Sequence, residues 1–253
     1  MSKKTSLFGV LVDDITMSET LNLSKQVLFG KESRQIAVYT PNLEMLEAAR
    51  RSKEIRELLN SADLLLPDGV GVSLIAGLLG KGVSETVSGI DFGERLFQTV
   101  RTENVRVFLL GGKEGVAETA SWRLRERFAG LEICGYHHGY LNTTSETDAL
   151  LSEIDRSRAE ILIVCMGFPL QERFVRSYRP LLPSVKIFAC LGGALDVWSG
   201  NAVRAPYLLR ELRAEWLWRV LAEPNRLPRL VSSLPAIPAA ISSYLKKGIA
   251  KRH

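Results

Sequence analysis

The chain has 253 residues, 46% of them hydrophobic and 24% charged, enough apolar material for one large α/β domain or a domain with an appendage. The opening MSKKTSLFGVLVDD has too short an apolar run, ended by Asp13 and Asp14, to be a signal peptide, and no segment approaches the ~20 apolar residues of a bilayer span, so a cytosolic chain is expected. The net charge of +5 is uneven: residues 201–253 carry ten Lys/Arg against three Glu, while residues 1–200 carry 23 basic against 25 acidic side chains, so attraction to anionic lipid, nucleic acid or a phosphorylated substrate belongs to the C-terminal part.

In chain order, short apolar or β-branched runs predict strands at Phe8–Val12, Gln35–Thr40, Asp63–Leu66, Val105–Leu110, Glu132–Gly135, Ile161–Met166 and Lys186–Leu191. Amphipathic stretches between them predict helices at Leu43–Arg51, Val70–Leu79, Gly89–Arg101, Val116–Phe128, Ser145–Ser157 and Gln171–Tyr178. This alternation marks βαβ units and an α/β fold with a largely parallel sheet. Strands such as ILIVCMG, apolar throughout, fit a sheet covered by helices on both faces. After Gly200 the texture becomes basic and aromatic, RAPYLLRELRAEWLWRVLAEPNRLPRL, with Pro206 and Pro224 placed to start helices. Residues 1–200 therefore read as the core and 201–253 as a helical C-terminal appendage. Cys134, Cys165 and Cys190 are odd in number and widely spaced, and read as buried reduced thiols.

In an open parallel sheet, ligands bind beyond the carboxyl ends of the strands. The loops there are Thr40-Pro41-Asn42, Pro67-Asp68-Gly69, Gly111 to Gly115, Gly167 to Glu172 and Gly192 to Asp196. Pro67 and Gly69 are turn residues for backbone reasons alone, and Asp68 between them is either incidental or a catalytic base on a rigid bend. Gly111 and Gly112 open a Gly-rich turn before a helix; a tight βα turn and a phosphate cradle are both consistent with it, and the full G-x-G-x-x-G spacing is missing because Leu110 holds the first position. Gln171 could bind a hydroxyl or phosphate oxygen, or cap its helix. Asp196 could accept ribose hydroxyls, or complement a helix dipole. His137 and His138 in GYHHGY read as a solvated loop and not a metal site. There is no D-x-D pair, so a sugar transferase of this sequence would rely on arginines for its diphosphate: Arg204, Arg210, Arg213, Arg219, Arg226 and Arg229 are available.

Seven stretches, TPN, PDGVGV, SGIDF, FLLGG, GFPLQE, GGALDVWSG and RAPYLLRELRAEWLWRVLAEPNRLPR, occur in the order and spacing of the WecG/TagA/CpsF glycosyltransferases, and from Leu7 to Arg229 the chain resembles that family. The resemblance implies a Rossmann-like core and a C-terminal appendage that closes over the active site and associates with membrane. It implies an inverting transferase, needing neither metal nor cofactor, that moves a sugar from a nucleotide diphosphate donor, a UDP-sugar being the expected one, to a polyprenyl-diphosphate-linked sugar. The work is then done at the inner face of the cytoplasmic membrane, in surface polysaccharide or teichoic acid synthesis, with no nucleic-acid partner and with room for a homo-oligomer. Carried over by position, Asp68 is the base, Thr40, Asn42 and Gln171 line the donor–acceptor site, Gly111 and Gly112 lie against substrate, Asp196 is near the nucleoside, and Arg219, Arg226 and Arg229 neutralise the leaving diphosphate. One departure is Thr86, just before Val87, where the family often has arginine; it bears on which donor sugar is used. The alternative class is a nicotinamide-dependent oxidoreductase, which requires the Gly111–Gly115 loop to hold a dinucleotide.

Overall fold

Six of the apolar runs become one parallel sheet. The computed structural model describes residues 3–31, 34–206, 209, 218 and 227–250, the side chains of 229 and 246–250 excepted. Strands β3 (Ile36–Tyr39), β4 (Leu64–Leu65), β5 (Arg106–Gly111), β6 (Glu132–His137), β7 (Ile161–Cys165) and β8 (Ile187–Cys190) run in the order β4-β3-β8-β7-β5-β6, every neighbouring pair parallel. Alternation along each strand divides the core between the two faces. Ile36 and Val38 point into one, packed with helices α1 (Met17–Phe29), α5 (Gly89–Val100), α6 (Val116–Arg127) and α9 (Ala194–Ser199). Ala37 and Tyr39 point into the other, packed with α2 (Leu43–Arg51), α3 (Lys53–Leu59), α4 (Val70–Leu78), α7 (Thr144–Ser157) and α8 (Leu170–Tyr178).

The N-terminal reading is corrected. Instead of one strand at Phe8–Val12, β1 (Lys3–Leu7) and β2 (Val10–Asp14) form an antiparallel hairpin. Its turn is Phe8-Gly9, with φ of 51° and 84°. Positive φ at both central residues matches the twist of a tight hairpin, but Phe in the first place gives no turn signal in the sequence. The hairpin covers the sheet edge at β4: the buried Asp13 carboxylate accepts from Leu65 N at 2.8 Å, taking up a donor that an edge strand would leave open.

Three core helices, α1, α3 and α9, lie outside the set of bounded helices predicted. A capping box starts α1: Thr16 Oγ1 accepts from Glu19 N (3.2 Å) while Glu19 Oε2 accepts from Thr16 N (2.8 Å). Ser52 ends α2, which has the predicted bounds, and begins α3, its hydroxyl accepting from Ile55 N at 3.3 Å.

After α9, the described helices are α10 (Leu227–Ser233) and α11 (Ala236–Ala250). Ala236 and Ala240 are fully buried in the core of the second face, against α2 and α4. Gly80 lets α11 come close, since a Cβ there would stand 2.9 Å from the Tyr244 ring. Pro224 lies outside the described residues. No helix among them is long and apolar enough to cross a membrane.

Candidate active site

The chain leaves β3 toward α2 on one face and leaves the neighbouring β8 toward α9 on the other, which opens a crevice at their carboxyl ends. Four of the predicted loops meet there. Asp68 follows β4 on a turn tied from both sides: its own N–H donates to Pro41 O (3.1 Å), and Val87 N donates to Pro67 O (2.9 Å). The next residue, Gly69, has φ of 81° and begins α4 without a side-chain cap. The bend is therefore rigid and Asp68 stands half-exposed at the rim. Those two bonds bring the loops of Pro41 and Val87 against it, and Thr86 with them.

Thr40 directly follows β3, is buried, and donates through Oγ1 to Cys190 O at 3.2 Å. The first turn of α5 reaches the same spot, because a Cβ on Gly89 would lie 3.3 Å from Thr40 Oγ1. Asn42 is exposed, and its Oδ1 caps α2 by accepting from Met45 N at 3.1 Å. Gln171 is buried as the second residue of α8. Its Nε2 donates to Glu172 Oε1 (2.8 Å) and its Oε1 accepts from Gly192 N (3.1 Å), so the amide joins α8 to the loop after β8 instead of capping its own helix. Asp196 sits at the third position of α9, half-buried, and its carbonyl accepts from Ala202 N (2.9 Å), turning the chain after the helix.

Gly111 and Gly112 have φ of 135° and 72°. A Cβ on Gly111 would fall 2.2 Å from Cys165 O, and Gly112 N donates to that same carbonyl at 3.1 Å, so close packing of β5 on β7 already accounts for both glycines. Helix α6 begins at Gly115 with no side-chain cap, as α8 does at Pro169 and α9 at Gly193. By contrast, α1, α2, α3 and α7 all carry one. Some of these first-turn amides are already taken, Val116 N by Lys113 O, Gln171 N by Gly167 O and Ala194 N by Leu191 O, but a helix start with no side-chain cap is a place where an oxyanion can accept.

Arg219 and Arg226 lie outside the described residues, as do Arg210 and Arg213; Arg229 is in α10, its side chain outside the description. Arg204 is corrected: its guanidinium pairs with Asp91 of α5 (2.5 Å) and approaches Glu94 (3.7 Å), so it fastens the chain after α9 to the core and is not held ready for a diphosphate. The histidines are corrected too. His137 ends β6 and His138 follows it, both half-buried, and with Glu114, Tyr140 and Arg156 they line a cavity of about 550 Å³ beside α7. Among the described residues no three His, Cys, Asp or Glu are grouped to hold a metal. All three cysteines are free thiols; Cys165 and Cys190 are buried and Cys134 is half-buried.

The sequence reading missed Glu172. It is fully buried, and burial raises its carboxyl to about 7, against the Gln171 hydrogen bond that acts to lower it. A Glu in LQERF looks like the solvated face of a helix; only the packing of α8 on β3 and β8 turns it inward.

A doubly covered parallel sheet with its polar side chains gathered at the strands' carboxyl ends defines a Rossmann-like α/β enzyme. Residues 5–251 match the Glycosyl transferase WecG/TagA/CpsF family. The chain belongs to that family and is a glycosyltransferase. It is similar to the N-acetylglucosaminyldiphosphoundecaprenol N-acetyl-beta-D-mannosaminyltransferase of Bacillus spizizenii, with 35% identity over 85% of this chain and 82% of that protein. The protein of the same name from Staphylococcus aureus strain MRSA252 is 29% identical over 96% of this chain and 94% of its own length.

Proposed function

We propose that the chain transfers an N-acetylhexosamine from a UDP-sugar to a polyprenyl-diphosphate-linked sugar, by single displacement with inversion. The observation that carries this reading is the Asp68 turn, held by backbone bonds to Pro41 and Val87 beside Thr40. The names of the relatives support the acceptor class and the type of sugar.

In this mechanism the acceptor hydroxyl lies against Asp68. The carboxylate takes its proton as the oxygen attacks the anomeric carbon, and the bond to the nucleoside diphosphate breaks on the opposite side. Thr40, Asn42 and Gln171 shape the cleft between donor and acceptor. The leaving diphosphate gathers charge, which the uncapped starts of α6, α8 and α9 and the arginines Arg219, Arg226 and Arg229 stabilise. Gly111 and Gly112 let the phosphates approach the backbone, and Asp196 accepts from the nucleoside. Thr86, at the edge of the Asp68 turn, tunes which donor sugar fits.

The C-terminal helices carry the enzyme to its lipid-linked substrate. Exposed apolar side chains stand four apart in each helix, Leu227 and Val231 in α10 and Ile241 and Leu245 in α11, with Leu234 exposed on the turn between them, and Lys246, Lys247, Lys251 and Arg252 come next in the sequence. This supports a peripheral enzyme on an anionic inner membrane face. The test of the whole reading is a panel of UDP-sugars with a polyprenyl-diphosphate-GlcNAc acceptor: one UDP-N-acetylhexosamine should give a lipid-linked disaccharide of inverted anomeric configuration. Retention of configuration, or no transfer from any donor, would count against it.

A further inference from the structure

Glu172 is wholly buried beside the rim, yet the transfer chemistry above does not use it. Its Oε1 accepts from Gln171 Nε2, while its Oε2 is buried with no hydrogen-bond partner. The groups facing it are the Gln171 amide from its own helix, the Tyr39 phenol from β3 and the Cys190 thiol from β8. Tyr39 Oη donates to the Glu172 backbone carbonyl at 3.3 Å. Burial raises both the phenol and the thiol, so each stays protonated and neutral, and Arg179 acts on the phenol. A carboxyl with one orphan oxygen among neutral neighbours is held more cheaply with its proton than without it.

The Gln171 amide has two ways round. With Nε2 on Glu172 and Oε1 on Gly192 N, both polar ends are satisfied; turned over, its NH2 would meet the Gly192 N–H, donor against donor. The Gly192 N–H selects the orientation, and an acceptor at position 172 holds the other end of the amide in it. We propose that Glu172 is a positioning residue: its buried carboxyl fixes the Gln171 amide, and through it the Gly192 loop that opens α9. Ionised, the carboxylate accepts the Gln171 hydrogen bond more strongly and places a charge behind the loop, so the geometry at Gly192 follows the charge of Glu172.

The catalytic consequence rests on the transfer reading above, but the hold on Gly192 is measurable without any substrate. In the full chain, the Gly192 backbone amide is followed by NMR from pH 5.5 to 8.5. Wild type should show an inflection near pH 7. Glu172→Gln retains an acceptor oxygen but has no proton to lose, so it should keep the hydrogen-bonded shift with no inflection. Glu172→Met should lose that shift at every pH. In transfer assays Glu172→Met should lower kcat about tenfold with KM little changed, the scale of one lost orienting hydrogen bond. Glu172→Gln should restore most of that rate and flatten the change of wild-type kcat across pH 7. If Glu172→Met fails to fold, the glutamine variant alone decides. A Gly192 amide that does not inflect in wild type, or inflects equally in Glu172→Gln, overturns the hold; a kcat–pH profile identical in wild type and Glu172→Gln overturns the positioning role. The expected inflection in a wild-type chain that transfers nothing overturns the functional reading and leaves the hold on Gly192 intact.

Discussion

The two ends of the sheet's carboxyl rim are built differently. Around β3, β4 and β8, polar groups are fastened by bonds from deep within the protein: Thr40 to Cys190 O, Gln171 to Gly192 N, the Asp68 turn to Pro41 O. Around β5 and β6, the rim is a glycine corner packed on β7, and beyond it lies an open cavity lined by half-buried histidines. The first arrangement fixes side chains before substrate arrives, which is what a transition state rewards. The second fixes backbone and leaves space. Substitutions of the cleft-facing groups at the first end should therefore appear chiefly in turnover, those at the second chiefly in stability or not at all, and the buried Glu172 behind the first end should show in both.

The largest effect on stability should come from Gly111→Ala at the glycine corner. Its Cβ would lie 2.2 Å from Cys165 O on a backbone with φ of 135°, and a loss of about 2–4 kcal/mol is expected, seen as a melting temperature lowered by several degrees. Turnover per folded molecule should fall less than in Asp68→Asn. A variant as stable as wild type would mean that the corner is not packed as described.

Next in size is the pH dependence that Glu172 contributes. The folded carboxyl keeps its proton up to about 7, whereas its ordinary value is 4.5. The folded state therefore binds the proton more tightly, so this contribution to stability is complete below 4.5 and is lost as pH rises toward 7, on the order of 3 kcal/mol in all. Glu172→Gln has no proton to lose. Its melting temperature should rise relative to wild type by several degrees between pH 4.5 and 8, and parallel curves for the two proteins would refute the assignment. A smaller effect is expected at the lipid surface. Replacing Ile241 and Leu245 of α11 by Asp should weaken flotation with anionic liposomes while transfer to a soluble, short-chain acceptor persists. Unchanged flotation would remove α11 from membrane binding. The smallest belongs to the cavity, where alanine at both His137 and His138 should alter turnover by less than about threefold, since neither group meets the reacting atoms.

Much of this frame could be read in the sequence. Runs such as ILIVC and IFAC are apolar at every position because both sheet faces are covered, and that pattern survives translation into structure. The loop motifs were legible for the same reason, as breaks after such runs. Three features were not. The Phe8-Gly9 turn lacks the Asn-Gly chemistry that announces a hairpin. Helix α3 follows the correctly bounded α2 across one serine that serves as both end and cap, and its seven residues are too few to show a period of their own. Glu172 and Arg204 look like solvated charges, and only tertiary packing shows one buried and the other paired with Asp91. Periodicity reports which face a residue occupies, whereas partnership across the fold is written nowhere in local sequence.

The measurement that bears most directly on the rim as transfer centre is turnover of Asp68→Asn, set beside its thermal stability and beside the His137/His138 double alanine variant. For Asp68→Asn a fall of at least roughly 10²-fold is predicted, with its melting temperature within a few degrees of wild type, and for the double variant near-normal turnover. Near-normal turnover in Asp68→Asn, or a loss of that size in the histidine variant instead, would place the chemistry at the other end of the sheet.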